Sequence, residues 1–289
     1  MPIFSICFMK RKIILISLIG LLFSSVKNFS QVRSIVVDRE TNQPISMVAV
    51  TVQGKSKGTY TNEIGLFAFS EIGDTDSIQF KHIGFDKNII SNQDLKDTIR
   101  LSPRINYLNE IIVSPSKYSL KKSKNRNKNS NISFAGFSGL ELTQLIKMEA
   151  YNDYIKSVKI FTKKALTKDS TYIRLHLYAN KNGKPGTEIL LNRGIIISSN
   201  VDKYILFNLE FENVVMPKEG LFVGIEWINQ IINQKQQLEP RVLLSKSKRQ
   251  DQITYYRFWD NDWESLNTLL RIERANTIIE LTGILKEPK

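Results

Sequence analysis

The chain has 289 residues, 42% of them hydrophobic, a formal net charge of +13 and one cysteine, Cys7. A single thiol excludes a disulfide framework and a cysteine-based metal site, so the fold is held by burial alone, which this length allows. The positive charge is unevenly placed, with four cations (Lys10, Arg11, Lys12, Lys27) in the first thirty residues and six (Lys117, Lys121, Lys122, Lys124, Arg126, Lys128) in one acid-free stretch. A basic face interleaved with aromatics is the footprint of nucleic-acid binding, and neither stretch has it, so no nucleic-acid partner is expected.

Lys10-Arg11-Lys12 followed by the 14 largely apolar residues Ile13 to Val26 reads as a signal peptide over residues 1–30. That apolar run is short for a membrane span of about 20 residues. Asn28-Phe29-Ser30 offers a small residue for cleavage, and the mature chain is expected to begin at Gln31 with no transmembrane segment. An uncleaved anchor is the alternative. No cysteine follows the apolar core, so a lipoprotein is not expected. The predicted location is exported: periplasmic, outer-membrane-associated or secreted.

Residues 31–113 alternate apolar and polar side chains, with Val48, Val50 and Val52, then Phe67 and Phe69, then Ile78 and Phe80 spaced by two. That is the period of half-buried strands. Turn chemistry separates them at Gly54-Lys55-Ser56-Lys57-Gly58, Asn62-Glu63-Ile64-Gly65 and Gly73-Asp74-Thr75-Asp76. About seven short strands with tight turns bury a core by closing into a sandwich or barrel.

The order Val36-Val37-Asp38, Gln43-Pro44-Ile45, Val48 to Gly54, Lys57 to Phe67, Ile83-Gly84-Phe85 and Leu108 to Val113 resembles the carboxypeptidase-regulatory-like domain of Bacteroidota envelope proteins. The resemblance implies a transthyretin-like β-sandwich and an envelope setting rather than a reaction. Members of that family are accessory modules attached to receptors, peptidases and other surface proteins.

Residues 114–131 break the apolar pattern with Pro115 and a basic, Asn-rich run, and read as a flexible tether that cannot bury enough surface to order itself. Residues 132–289 are again strand-like. Ile173, Leu175 and Leu177 alternate with polar neighbours, as do Ile205, Phe207 and Leu209, and Val223, Ile225 and Trp227. Turns at Asn182-Gly183-Lys184-Pro185-Gly186, Pro217 to Gly220 and Asp260-Asn261-Asp262 punctuate the region. It predicts a second, larger, jelly-roll-like sandwich, so the whole chain is all-β. Gly183-Lys184-Pro185-Gly186 with Phe222 to Trp227 is similar to the C-terminal region that accompanies the regulatory-like domain in uncharacterised flavobacterial proteins, a likeness that carries no known site.

Catalytic machinery is not visible. The two histidines, His82 and His176, do not begin the His-x-x-Glu pair of a zinc carboxypeptidase. His82 shares the parity of Ile78 and Phe80 and is expected at the core margin. Gly136-Phe137-Ser138-Gly139 is one residue short of a nucleophile elbow, and Gly183 to Thr187 lacks phosphate-loop spacing. No catalytic residue, cofactor or metal site is predicted. Two clusters are candidates for binding. Tyr172, Arg174, His176 and Tyr178 project from one side of a strand, an aromatic and cationic stripe able to stack on sugars or grip an acidic glycan, with an ordinary outer face or an inter-sheet layer of a wide sandwich as the alternative. Tyr255 to Glu264 combines aromatics with Asp260, Asp262 and Glu264, which reads more simply as an aromatic hairpin than as a calcium site. The resulting expectation is an exported, non-enzymatic binding or assembly module whose partner is a glycan or an envelope protein. A glycan or peptide hydrolase with carboxylates that converge only in the fold is the alternative.

Overall fold

The structure, a computed structural model, describes residues 32–70, 72–104, 118–123, 132–148, 154–163, 171–190, 196–198, 203–210, 212–229, 238–246, 253–271 and 275–286. The signal region 1–30 lies outside the described residues. Among the described residues no helix is long and apolar enough to cross a membrane.

The N-terminal domain has strands β1 (Val32–Asp38), β2 (Ala49–Val52), β3 (Gly58–Tyr60), β4 (Leu66–Phe69), β5 (Ser77–Lys81), β6 (Asn88–Ser91) and β7 (Thr98–Leu101). They form two sheets, β4-β1-β7 and β3-β2-β5-β6. Alternation puts Val48, Val50, Val52, Phe67, Phe69, Ile78 and Phe80 between the sheets with Val36, Ile99 and Leu101. Each such side chain contributes about 1.5 to 3 kcal/mol on full burial. The domain is therefore the expected small β-sandwich. On the other side of the second sheet, Ala49, Thr51 and Gln79 are also buried, at 8%, 5% and 3% exposure. Another surface must cover them.

That surface belongs to the C-terminal sandwich. Its strands are β8 (Tyr118–Lys122), β9 (Ile132–Gly136), β10 (Leu140–Ile146), β11 (Tyr154–Lys163), β12 (Tyr172–Lys181), β13 (Lys184–Glu188), β14 (Ile196–Ser198), β15 (Tyr204–Asn208), β16 (Leu221–Ile228), β17 (Leu238–Lys246), β18 (Thr254–Phe258), β19 (Glu264–Ser265), β20 (Ala275–Thr277) and β21 (Ile279–Lys286). One short helix, α1 (Leu266–Leu270), is capped by Ser265. One sheet runs β13-β12-β16-β10-β18-β19 with β14 also on β12, and the other runs β20-β17-β11-β21-β8 with β15 on β11 and β9 on β17. From β10 to β12, and from β15 to β18, successive strands alternate between sheets, which is the jelly-roll habit. The core between the sheets includes Leu140, Leu142, Val158, Ile160, Leu175, Leu177, Phe207, Ile225 and Trp227.

One expectation is corrected. The tether contributes β8, which pairs antiparallel with β21 from Thr282↔Lys122 to Lys286↔Tyr118. Ser123 is buried, its N–H donates to the Leu281 carbonyl at 2.9 Å, and its hydroxyl accepts from the Leu281 N–H at 2.9 Å. The composition that suggested a solvated chain is also that of a lysine-protected edge strand, since backbone pairing asks little of side chains. The rest of the tether lies outside the described residues.

Candidate functional site

The outer face of the β13-β12-β16-β10-β18-β19 sheet carries a row of charges set by register. Arg257 on β18 faces Glu141 on β10, Glu141 faces Glu226 on β16, and Glu226 faces Arg174 on β12. The sequence cationic, acidic, acidic, cationic thus lies side by side across four strands. Arg257 binds Glu141 through Nε at 2.9 Å and Nη2 at 2.8 Å. Arg174 Nη1 binds Glu226 at 3.2 Å. One row along, His176 faces Gly224, whose missing side chain is required because a Cβ there would meet the Leu142 carbonyl and Thr143 at 2.9 Å.

His176 links two carboxylates, with Nδ1 2.6 Å from Glu188 and Nε2 2.9 Å from Glu226. Both contacts require N–H groups, so the ring is an imidazolium. Burial alone would lower its pKa, but Glu141, Glu188 and Glu226 outweigh burial and raise it to about 10. The same logic holds for the acids. Burial pushes Glu226 and Glu188 up, yet Arg174, His176 and Tyr60 hold Glu226 well below the usual carboxylate range, and His176 holds Glu188 down. Tyr178 donates to Glu141 at 2.5 Å, receives Arg257 Nη2 at 2.9 Å and stacks on His176 with ring centroids 5.8 Å apart. Burial, and then the Glu141 charge, push the Tyr178 phenol well above its ordinary value.

The N-terminal domain closes over this row. The Tyr60 hydroxyl donates to Glu226, and Arg174 Nη2 donates to the Met47 carbonyl at 2.9 Å. Asp260 beyond β18 receives Gln79 Nε2 at 2.6 Å and Lys81 Nζ at 3.2 Å, and Asn261 Nδ2 donates to Ser56 at 2.8 Å. Burial opposes ionisation of Asp260, but Lys81 and Arg257 lower its pKa to about 2. The mechanical key is Trp259, held in left-handed backbone (φ 56°) by an N–H bond to the Gly139 carbonyl at 2.7 Å. Its indole lies 5.0 Å from the Tyr60 ring and fits against two glycines, one per domain. A Cβ on Gly58 would come within 2.5 Å of the indole, and one on Gly139 within 2.3 Å.

Between the domains is a cavity of about 40 Å³ lined by Thr51, Gln79, His82, Arg174, Glu188 and Asp260 among others. That is room for a few water molecules, beside the buried Arg174 Nε, which has no protein partner. His82 sits at its edge, with Nδ1 accepting from the Gly84 N–H at 3.2 Å, and burial followed by Arg174 lowers its pKa to about 4. Among the described residues no cluster of three or more histidine, cysteine or acidic side chains could hold a metal ion.

The expected stripe therefore does share one side of a strand, but it is not an open face. Arg174, His176 and Tyr178 are 4%, 5% and 3% exposed, and Tyr172 packs on the seam cluster of Ala49, Tyr60, Ile228 and Trp259. The physical reason is long-range, since a second domain lies over the strand. The second cluster is also drawn into the seam. Arg257 lies 4.2 Å over the Trp263 ring, and Asp260 faces Lys81 and Lys87. Sequence reasoning missed Glu141, Glu188, Glu226 and Tyr60. A signal existed in the acidic residues within otherwise apolar strands, Glu141 in Leu140 to Ile146 and Glu226 in Leu221 to Ile228. A buried acid demands a cation.

Residues 35–113 match the CarboxypepD_reg-like domain family, and the N-terminal sandwich is such a domain. No curated protein matches the chain. Among solved structures, a chain of the clostridial cysteine protease Cwp84 after propeptide cleavage is similar at 12% identity and a TM-score of 0.42, over 58% of this chain and 40% of that one. The cysteine protease and lectin-like domains of Cwp84, a surface layer associated protein of Clostridium difficile, are similar at 14% identity and a TM-score of 0.42, over 84% of this chain and 59% of that one. A DUF3823 family protein from Parabacteroides merdae is similar at 9% identity and a TM-score of 0.19, over 69% of this chain and 98% of that one.

Proposed function

We propose that the protein is an exported, non-enzymatic module of the cell envelope that works by binding or assembly, with its two sandwiches joined as one unit. The observation that carries this reading is the chemistry of the seam. Glu141, Glu188 and Glu226 are each held by Arg257, His176 or Arg174 around a cavity with room for water only, and Asp260 at its exposed rim is held by Lys81. A hydrolase needs a carboxylate free to move a proton and space for a substrate beside it. A carboxylate locked between an arginine and a histidine is instead a structural acceptor. The partner class is a glycan or an envelope protein, and export rests on the short apolar run before Gln31.

The test joins location with chemistry. The tagged protein, expressed in a bacterium of its own type, is expected in envelope fractions with Gln31 as its first residue, and the purified chain is expected to be retained on isolated envelopes without releasing sugar or peptide fragments. Recovery in the cytoplasm, or turnover of envelope glycan or peptide that is abolished by Glu226→Gln, overturns the reading.

A further inference from the structure

The C-terminal sandwich has two outer faces. One is the seam; the other, on β15, β11 and β21, points away from the N-terminal domain. On β15 alternation sends Ile205 and Phe207 into the core and leaves Tyr204 and Leu206 outward, 43% and 49% exposed. Register sets Tyr204 beside Phe161 and Leu206 beside Lys159 on β11. The Phe161 and Tyr204 rings meet edge-on at 6.4 Å, and the Lys159 ammonium lies 4.5 Å from the centre of the Tyr204 ring.

Charge on this face is unbalanced. Glu280 is shared by two lysines, Lys122 at 3.4 Å and Lys159 at 3.9 Å, while Glu210 pairs with Lys156 at 3.7 Å. Lys163 is exposed at the end of β11, on the same side as Lys159 and Phe161 by alternation. Two rows from the aromatic pair, beyond Lys159 and Leu206, Ser157 and Asn208 stand opposite each other as a polar row.

We infer that this face binds an acidic polysaccharide, a chain bearing uronate groups. The inference rests on the reading of the protein as an envelope-binding module and names both ligand class and site. The C–H face of a sugar ring stacks on Tyr204 and Leu206, and aromatic side chains offer such contact at small entropic cost. Hydroxyls of the sugar reach Ser157 and Asn208, and the uronate carboxylates meet Lys159 and Lys163. A neutral chain leaves the lysine excess unused. An anionic bilayer is the other acidic surface that could meet these lysines, and the vesicle arm of the test distinguishes it.

The test measures binding of the full mature chain to oligomers of galacturonic acid, with neutral galactose oligomers of equal length and phosphatidylglycerol vesicles as the other arms. The expected result is binding to the acidic oligomer alone, weakened by added salt. Tyr204→Ala with Leu206→Ala is expected to weaken it at least tenfold with an unchanged melting temperature, and Lys163→Glu, at an exposed position, is expected to weaken it independently. Ile64→Ser, on the exposed surface of the other domain, is expected to change nothing. Equal binding by wild type and the Tyr204 and Lys163 variants overturns the site while leaving the envelope-binding reading intact. Failure of the wild type to bind the acidic oligomer overturns the ligand class, and the envelope retention experiment then decides the broader reading separately. Vesicle binding lost in the same variants shows that the face belongs to a membrane and also overturns the inference.

Discussion

Glu141 and Glu226 stand directly opposite each other on adjacent antiparallel strands, both under 9% exposed. Facing like charges destabilise a sheet, and two buried carboxylates are tolerated here because a cation flanks each one in the same row. Arg257 lies beyond Glu141, Arg174 lies beyond Glu226, and His176 reaches in from the next row. The arrangement is stable only as a whole, and that makes its failure measurable.

Arg174→Met removes one end of the row and leaves Glu226 with less compensation than its burial requires. Breaking a buried pair from one side costs about 3 to 5 kcal/mol. Urea unfolding is expected to register that loss, and Arg174→Met combined with Glu226→Leu is expected to recover a large part of it. A loss below about 1 kcal/mol for the single variant, the size of a surface ion pair, would mean that water reaches the seam.

The pH dependence of stability has a definite sign. His176 has a folded pKa of about 10 against an ordinary value of 6.5. Its contribution is therefore fully present below pH 6.5 and is lost as pH rises through about 10. Asp260 runs the other way, with a folded pKa of about 2, so its contribution is present above the ordinary value of 3.8 and disappears as pH falls through about 2. Wild type and His176→Gln, unfolded by heat at a series of pH values, are expected to differ most near pH 6 and to converge toward pH 10. A difference that grows as pH rises would show that the ring is neutral in the folded chain.

Trp259 offers a steric test. Gly58→Ala forces a methyl group to within 2.5 Å of the indole, and overpacking of this kind costs about 1 to 3 kcal/mol. Trp259→Ala alone leaves a gap at the seam. The double variant is expected to be more stable than the sum of the two losses implies, because the methyl group then has space. Strict additivity in calorimetry would contradict the key-and-slot contact.

Strand β8 is expected to resist hydrogen exchange. The peptide spanning residues 118–123 pairs along β21 and is anchored by both Ser123 bonds, so its amides are expected to exchange more slowly in the native chain than in a Ser123→Pro variant. Complete exchange of the wild-type peptide at the first time point would return that segment to the status of a tether.

The N-terminal sandwich was legible because its information is local. Val48, Val50 and Val52 alternate, tight turns separate the strands, and short strands with that pattern have few ways to close. The seam was not legible because its information is registral. Arg257, Glu141, Glu226 and Arg174 come from four strands that are not consecutive in the chain, and their adjacency follows from pairings such as Glu141↔Glu226, separated by 85 positions. Alternation identified which side of β12 carries Arg174 and His176, but it cannot say what lies over that side. Besides the acids Glu141 and Glu226 within apolar strands, the small residues Ala49 and Thr51 between Val48, Val50 and Val52 were a local hint, since a sheet face exposed to water has no need to be so flat.

Trp259 and its two glycines make the pair of domains a matched set. Recombination that replaced the N-terminal sandwich with another of the same fold would need a glycine at the position of Gly58, a phenol at Tyr60 and a carbonyl turned toward Arg174. Lacking them, the graft would strand a buried arginine and a buried glutamate at once. Sequence change on either side of the joint is therefore constrained by the other side, and the two halves are expected to drift through evolution as a single inheritance even though each has a hydrophobic core of its own.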